Sequence, residues 1–310
     1  MDDVKGRAEA LVEALPYIQR FRGKTVVIKY GGHAMSSPEL IASFARDVVL
    51  LQSVGIKPVV VHGGGPQISE MIRKMGLESR FVRGMRVTDA ATMELVEMVL
   101  QRINKEIVAT ISRQGGRAVG LSGKDGELML SRKMLVKLPG DNGRARAVDV
   151  GLVGEVAAVN HDVIHTLDSA NFIPVIAPIG FDRDGSTYNV NADVAAGKIA
   201  GALKAEKLIL MTDVEGIKGP GGTLMSTLGA AQAKKLIASG VIGEGMIPKV
   251  ECCIDALQDG VTSAHIIDGR ARHAVLLEIF TSAGIGTEVL RESPRKKIKA
   301  NGRDRAQSPA

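Results

Sequence analysis

The run Thr25-Val26-Val27-Ile28-Lys29-Tyr30, closed by Gly31-Gly32, is apolar at nearly every position, so it reads as a strand buried on both faces. Five more short runs share this character: Pro58–His62, Arg117–Leu121, Ile173–Ile179, Lys207–Thr212 and Ala264–Asp268. Stretches of helical period separate them, which gives a repeated β-α-β order and an open α/β fold with a mainly parallel sheet. Ligands of such sheets bind at the carboxyl ends of the strands. From Glu39 to Val54 one helical face collects Leu40, Ile41, Phe44, Val48, Val49 and Leu51, and Ser36-Ser37-Pro38-Glu39 offers a capping box with an N1 proline. Further helices are expected near 66–76, 89–113, 160–170, 191–204, 230–239, 246–258 and 271–282.

Two segments break the rhythm. Met129 to Asp149, rich in Lys, Arg and Gly, and Phe181 to Tyr188 (FDRDGSTY) predict hairpins or loops, and the second reads as a hinge between two lobes with a boundary near residue 180. The organisation is then an N-terminal helix over 1–22, lobes over 23–180 and 181–290, and a basic tail over 291–310 that reads as disordered. The N-terminal helix carries a stripe of Ala8, Leu11, Val12, Leu15, Ile18 and Phe21, with Pro16 expected to kink it. Either the same domain or another subunit must cover that stripe.

Of the formal charge of +6 on 310 residues, +5 lies in the tail from Arg291 to Ala310, so the fold itself has no basic face for a polynucleotide. Aromatic residues at 3%, with no Trp, leave few platforms for stacked bases, and no nucleic acid partner is expected. The two cysteines, Cys252 and Cys253, are adjacent in a helical pattern where an ordinary disulfide does not form, which points to a reducing compartment. No apolar run is long enough to span a membrane, and Met1-Asp2-Asp3 is acidic where a signal peptide is basic. A cytoplasmic or organelle-matrix protein is expected.

The chemistry concentrates where strands end. Lys29-Tyr30-Gly31-Gly32 and His62-Gly63-Gly64-Gly65-Pro66 each close a strand just before a helix, and their bare backbones suit an anion. A lysine inside a buried strand must snorkel or meet an anion. None of the Gly-Lys pairs has the glycine a Walker loop needs, and His62 to Ile68 lacks the last glycine of a dinucleotide fingerprint. His161 and His165 stand four apart without a third ligand and read as surface histidines beside Asn160, so no metal site is expected. Arg86 suits a substrate carboxylate, Asn191 suits a helix cap that leaves Asp193 in the first turn, and Lys249 occupies a first turn that disfavours a cation unless an anion is near.

Taken together, IKYGG, VVVHGGGPQI, GMRVT, NVNAD, LMTDVEGI and GMIPKV, in this order, resemble the amino acid kinase family, and within it the branch that phosphorylates N-acetylglutamate. The similarity runs from about Thr25 to Leu290. It implies an eight-stranded αβα sandwich with an acetylglutamate-binding lobe, an ATP-binding lobe and Mg²⁺ carried by ATP. By resemblance Lys29 contacts the transferred phosphoryl group, Lys249 is the second lysine, on the ATP side, and Asp193 holds both lysines. Gly31 and Gly32 hold the phosphoryl group through N–H groups, while Gly64 and Gly65 face acetylglutamate. Arg86 matches the clamp on its α-carboxylate, and Asn189 the contact to its acetylamino part. Thr212, Asp213 and Gly216 lie in the segment beside the adenine nucleotide.

The N-terminal helix and the stretch Leu276 to Thr287 resemble the arginine-inhibited subgroup, whose helices interlace dimers into a hexamer, a trimer of dimers. Glu278 and Gly284 are then candidates for an allosteric arginine site, against the alternative of a surface glutamate on a helix. A PII-type signalling protein is a further partner known in some members of the family. The competing assignments are another acyl-phosphate-forming kinase, a noncatalytic amino-acid sensor and a nicotinamide-dependent dehydrogenase; intact Lys29, Asp193 and Lys249 oppose the sensor.

Overall fold

The computed structural model describes residues 2–35, 37–139, 145–243 and 245–292. The helices are α1 (Asp2–Phe21), α2 (Pro38–Ser53), α3 (Gly65–Lys74), α4 (Ala90–Arg113), α5 (Asp162–Ser169), α6 (Ala192–Ala202), α7 (Ala230–Ala238), α8 (Ile247–Gln258) and α9 (Ala274–Phe280). The strands are β1 (Thr25–Tyr30), β2 (Lys57–His62), β3 (Phe81–Val82), β4 (Met85–Arg86), β5 (Ala118–Ser122), β6 (Met129–Pro139), β7 (Ala145–Val159), β8 (Ile173–Ala177), β9 (Ile179–Phe181), β10 (Thr187–Val190), β11 (Lys207–Thr212), β12 (Thr227–Gly229), β13 (Ser263–Asp268) and β14 (Thr287–Leu290). The expected basic tail from 291 lies, from residue 293 on, outside the described residues.

Eight strands form one sheet in the order β12-β14-β13-β11-β1-β2-β8-β5, with only the β13–β14 pair antiparallel. Strands from before residue 180 fill one half, strands after it the other, and none interleaves. They meet at β1 and β11, where the chain departs in opposite directions and opens a crevice at the carboxyl ends. Period-2 alternation sorts the β1 side chains: Val26, Ile28 and Tyr30 join a core with α2, α4 and α9, and Val27 joins a core with α6 and α8. Helices on both faces complete the αβα sandwich. Ile28 is fully buried, so Ile28→Ala would cost about 2–5 kcal/mol. Ser37 caps α2 by accepting from the Leu40 N–H at 3.2 Å, with Pro38 in the first turn as expected.

Several elements depart from expectation. The run Ile173–Ile179 divides at Pro178, so β8 stays in the main sheet while β9 joins a second sheet, β10-β7-β6-β9, that closes on itself. The segment from Met129, by contrast, is a hairpin as read, though longer than its expected end at Asp149: β6–β7 pair antiparallel out to Val159. The segment read as a hinge is a tight hairpin, Thr187 pairing with Phe181. Asp182 ties it, accepting from the Ser186 N–H at 2.9 Å and from the Tyr188 hydroxyl at 2.6 Å. Helix α1 continues through Pro16 without interruption, and although Phe21 is buried, Leu11, Val12 and Leu15 remain exposed.

Candidate active site

Alternation along β1 puts Lys29 on the face of Val27, toward α6, and the first turn of α6 meets it there. Asn191 caps α6, its Oδ1 accepting from the N–H groups of Asp193 at 2.9 Å and Val194 at 3.2 Å, which fixes Asp193 at the mouth of the crevice. Lys29 Nζ approaches Asp193 Oδ1 at 3.1 Å as an ion pair without the alignment of a hydrogen bond. Lys249 Nζ, from the first turn of α8, donates to Asp193 Oδ2 at 3.0 Å. Burial alone would raise the Asp193 pKa, but the two ammonium groups outweigh it and hold the carboxyl below its usual range. Two cations on one carboxylate leave an excess positive charge facing the crevice.

The distance between α6 and α8 is set by a glycine and a thiol. A Cβ on Gly197 would lie 2.8 Å from Cys252 Sγ, and that thiol donates to the Asp193 carbonyl at 3.0 Å. Burial pushes both Cys252 and Cys253 thiols far up, so neither is a nucleophile.

The glycine loops meet beside these lysines. The Gly63 N–H donates to the Tyr30 carbonyl at 2.7 Å, which joins the ends of β1 and β2. A Cβ on Gly31 would sit 3.3 Å from Lys29 Nζ. Gly32 has φ +66°, and a Cβ there would lie 2.6 Å from Asp213 Oδ1, so this turn requires glycine and brings Asp213 to the first loop. Gly64 is bare because Leu100 and Ile103 of α4 would stand 2.8 and 2.9 Å from its Cβ, whereas Gly65 faces open space at the start of α3.

Arg86 is buried, and its guanidinium donates to Ser79 Oγ at 2.6 Å, Ser69 Oγ at 2.7 Å and the Gly65 carbonyl at 3.1 Å, beneath the Phe81 ring. None of these partners is acidic, so among the described residues a charged fork is anchored at the second glycine loop without an acidic partner. Asn189 Nδ2 donates to Thr88 Oγ1 at 3.3 Å, two residues from Arg86, and thereby joins the same neighbourhood. Thr212 ends β11, with Asp213 beside Gly32. Gly216 is held away from open space: at φ +147° a Cβ would lie 2.6 Å from Thr287 Oγ1, which accepts from the Ile217 N–H.

Glu278 and Gly284 lie elsewhere, toward the amino ends of β11 and β13. Glu278 is buried, accepting from His265 Nδ1 at 2.6 Å and the Ile285 N–H at 2.8 Å. This removes the alternative of a surface glutamate. A Cβ on Gly284 would lie 2.8 Å from Glu278 Oε2. Lys207 Nζ sits 2.8 Å from His265 Nε2 and 5.3 Å from the Phe21 ring centroid of α1. Lys207 and His265 were not anticipated as site residues, although a lysine and a histidine inside doubly buried strands carry the same signal as Lys29.

His161 pairs with Asp162 and lies edge-on to His165 at 5.0 Å, and among the described residues no three His, Cys, Asp or Glu side chains gather to hold a metal ion. The residues at the crevice, two lysines and glycine N–H groups, are a donor set for phosphate oxygens.

Three comparisons bear on this arrangement. The amino acid kinase family model matches residues 24–268. Acetylglutamate kinases of Geobacter metallireducens and Geobacter sulfurreducens are 60% and 58% identical, over 92% and 94% of this chain and 98% and 100% of theirs. Among solved structures, N-acetylglutamate synthase from Neisseria gonorrhoeae, complexed with coenzyme A and N-acetylglutamate, is 27% identical with a TM-score of 0.81. It matches 92% of this chain, which spans 63% of its length. Carbamate kinase from Giardia lamblia, at 16% identity and a TM-score of 0.61 over 86% of this chain and 98% of its own, shares the fold. Matched over most of its length by the family pattern, and over more than nine-tenths of it by relatives near 60% identity, the chain belongs to the amino acid kinase family.

Proposed function

We propose that the protein transfers the γ-phosphoryl group of ATP to the γ-carboxylate of N-acetyl-L-glutamate, in arginine biosynthesis. The observation that carries this is the convergence of Lys29 and Lys249 on Asp193, in a chain 60% identical to an acetylglutamate kinase. Phosphoryl transfer spreads negative charge over the equatorial oxygens, so fixed ammonium groups and N–H dipoles supply most of the catalysis. In this reading Lys29 and Lys249 stabilise that charge, Asp193 aligns them, and Gly31 and Gly32 offer N–H groups to the moving phosphoryl group. The acceptor carboxylate is already ionised at neutral pH, so no general base is needed. Arg86 clamps the α-carboxylate, Asn189 meets the acetylamino group, and Gly64 and Gly65 line the same substrate. ATP lies along the segment with Thr212, Asp213 and Gly216, and Mg²⁺ arrives on its phosphates. The division at residue 180 then separates an acetylglutamate lobe from an ATP lobe.

Feedback by arginine belongs to the same proposal, with Glu278 for the guanidinium, Lys207 for the carboxylate and Gly284 beside them. The exposed Leu11, Val12 and Leu15 of α1 support helix-mediated assembly into a hexamer, and a PII-type protein and the cytoplasm complete the proposed setting. The test supplies MgATP with acetylglutamate, glutamate or aspartate separately, traps acyl phosphate with hydroxylamine, and repeats the assay with arginine. Acyl hydroxamate only from acetylglutamate is expected; product only from a free α-amino acid overturns the assignment.

A further inference from the structure

His62 closes β2 and opens the second glycine loop, yet the reaction above gives it no role. It is fully buried, and each ring nitrogen has one partner: Nδ1 lies 2.9 Å from the Gly63 carbonyl, and Nε2 lies 3.2 Å from Asn104 Nδ2. The chemistry of the partners assigns the protons. A carbonyl only accepts, so Nδ1 carries the hydrogen and donates. Asn104 Nδ2 also donates to the Val175 carbonyl at 2.8 Å, so the amide cannot be turned to put its oxygen there, and Nε2 accepts. Burial pushes the His62 pKa down to about 4, which keeps the ring neutral at physiological pH.

Asn104 is itself fully buried on α4, and its two amide hydrogens are shared among His62 Nε2, the Val175 carbonyl in the middle of β8 and, at 3.3 Å, the Leu121 carbonyl of β5. Its Oδ1 has no partner, and a Cβ on Gly120 would collide with it at 1.8 Å. A buried, half-satisfied amide at the cost of a bare strand residue is an arrangement that packing alone does not favour.

We propose that Asn104 and His62 form a positioning relay that fixes the direction of the Gly63–Gly64 peptide, and so aims the Gly64 N–H at acetylglutamate. In a trans peptide the N–H points opposite to the carbonyl, so a carbonyl held by the imidazole turns the Gly64 N–H away from it. That N–H meets no acceptor among the described residues. The Gly63 N–H is already tied to Tyr30, so the His62 bond is the remaining restraint on the plane that follows it. His62 and Asn104 touch neither substrate nor reacting atoms; they act through the loop. The proposal deepens the functional reading and rests on its assignment of Gly64 to the acetylglutamate site.

The test compares His62→Asn with His62→Gln in the full-length protein. Asparagine keeps a donor near the Nδ1 position but is the smaller residue; glutamine keeps the volume and reaches the Nε2 position but lacks the Nδ1 donor. Relay action predicts that His62→Gln loses about ten- to a hundredfold in kcat/KM for acetylglutamate, with the KM for ATP within about twofold, while His62→Asn stays within about fivefold of the parent. A packing role predicts the reverse ranking, and that ranking, or parallel rises in both KM values, overturns the proposal. Nitrogen-15 spectra of the unmodified protein read the tautomer without any variant: the Nδ1–H form is expected for His62, and the Nε2–H form overturns the relay. Arg86→Gln in the same assay separates the two levels. An unchanged acetylglutamate KM there removes the site assignment itself, whereas a raised KM with an inert His62→Gln removes only the relay.

Discussion

At the carboxyl end of β1 two ammonium groups share the single carboxylate of Asp193; toward the amino end of β11, Lys207 lies among Glu278, Glu288 and a histidine. The composition is similar and the sign is opposite. Burial pushes His265 down, so its ring is neutral and takes a hydrogen from Lys207. Burial would raise Glu278, but the hydrogen bonds from His265 and the Ile285 N–H, with the charge of Lys207, together outweigh it and hold the carboxyl below its usual range. The first cluster keeps surplus positive charge and suits phosphate; the second keeps surplus negative charge and suits a cation such as guanidinium. Both stand on strands of one sheet, the first on β1 and the second on β11 and β13, so the proposed reading places chemistry and control at different strands of the same sheet.

The sharpest way to break this contrast is to neutralise one lysine from each cluster. Lys29→Gln or Lys249→Gln is expected to lower kcat by about a hundredfold or more, the scale of losing one transition-state donor. Lys207→Gln is expected to leave kcat within about threefold. Steady-state kinetics with saturating MgATP decides, and equal losses at Lys29 and Lys207 would erase the distinction. Removing residues 1–21 should reduce the assembly to dimers and abolish arginine inhibition while kinase activity persists; a truncated protein that sediments as a hexamer would contradict this. Glu278→Gln should raise the arginine concentration for half inhibition about tenfold, on the scale of one charged hydrogen bond, without changing kcat.

The smallest effect concerns stability. His62 has a pKa near 4 when folded and about 6.5 when unfolded, so the unfolded chain takes up the proton first as pH falls. Its contribution is complete above pH 6.5 and is lost toward pH 4, about 1 kcal/mol of it between pH 7 and 5.5. Asp47, which burial against the opposing pull of His273 raises to about 6, works in the other direction over that window. Denaturant titrations of the parent and His62→Asn at both pH values should therefore differ by the His62 part alone.

The frame of this fold was legible because strands buried on both faces carry an unmistakable apolar run, and β1 and β11 have the bounds read for them. What escaped was short or divided. β12 and β14 have three and four residues, too few for a period, and exist because they pair at the sheet edge. Pro178 was invisible as a boundary because the residues on either side of it are equally apolar. At the crevice, Lys29 stood out as a charge in a buried strand, and the same test applied to Lys207 and His265 would have found the second cluster. His62 escaped for another reason: it was read only as the end of a strand beside an anion loop, and only tertiary packing against Asn104 gives its ring partners.

Cys252, which holds the α6–α8 contact from inside, and its neighbour Cys253 have a practical corollary. Both are buried and strongly disfavoured as thiolates, and the chain has no others. A maleimide dye would thus react only with a cysteine placed on the outside, for example at exposed Glu9 through Glu9→Cys, and energy transfer between donor- and acceptor-labelled copies would read directly whether the chains associate.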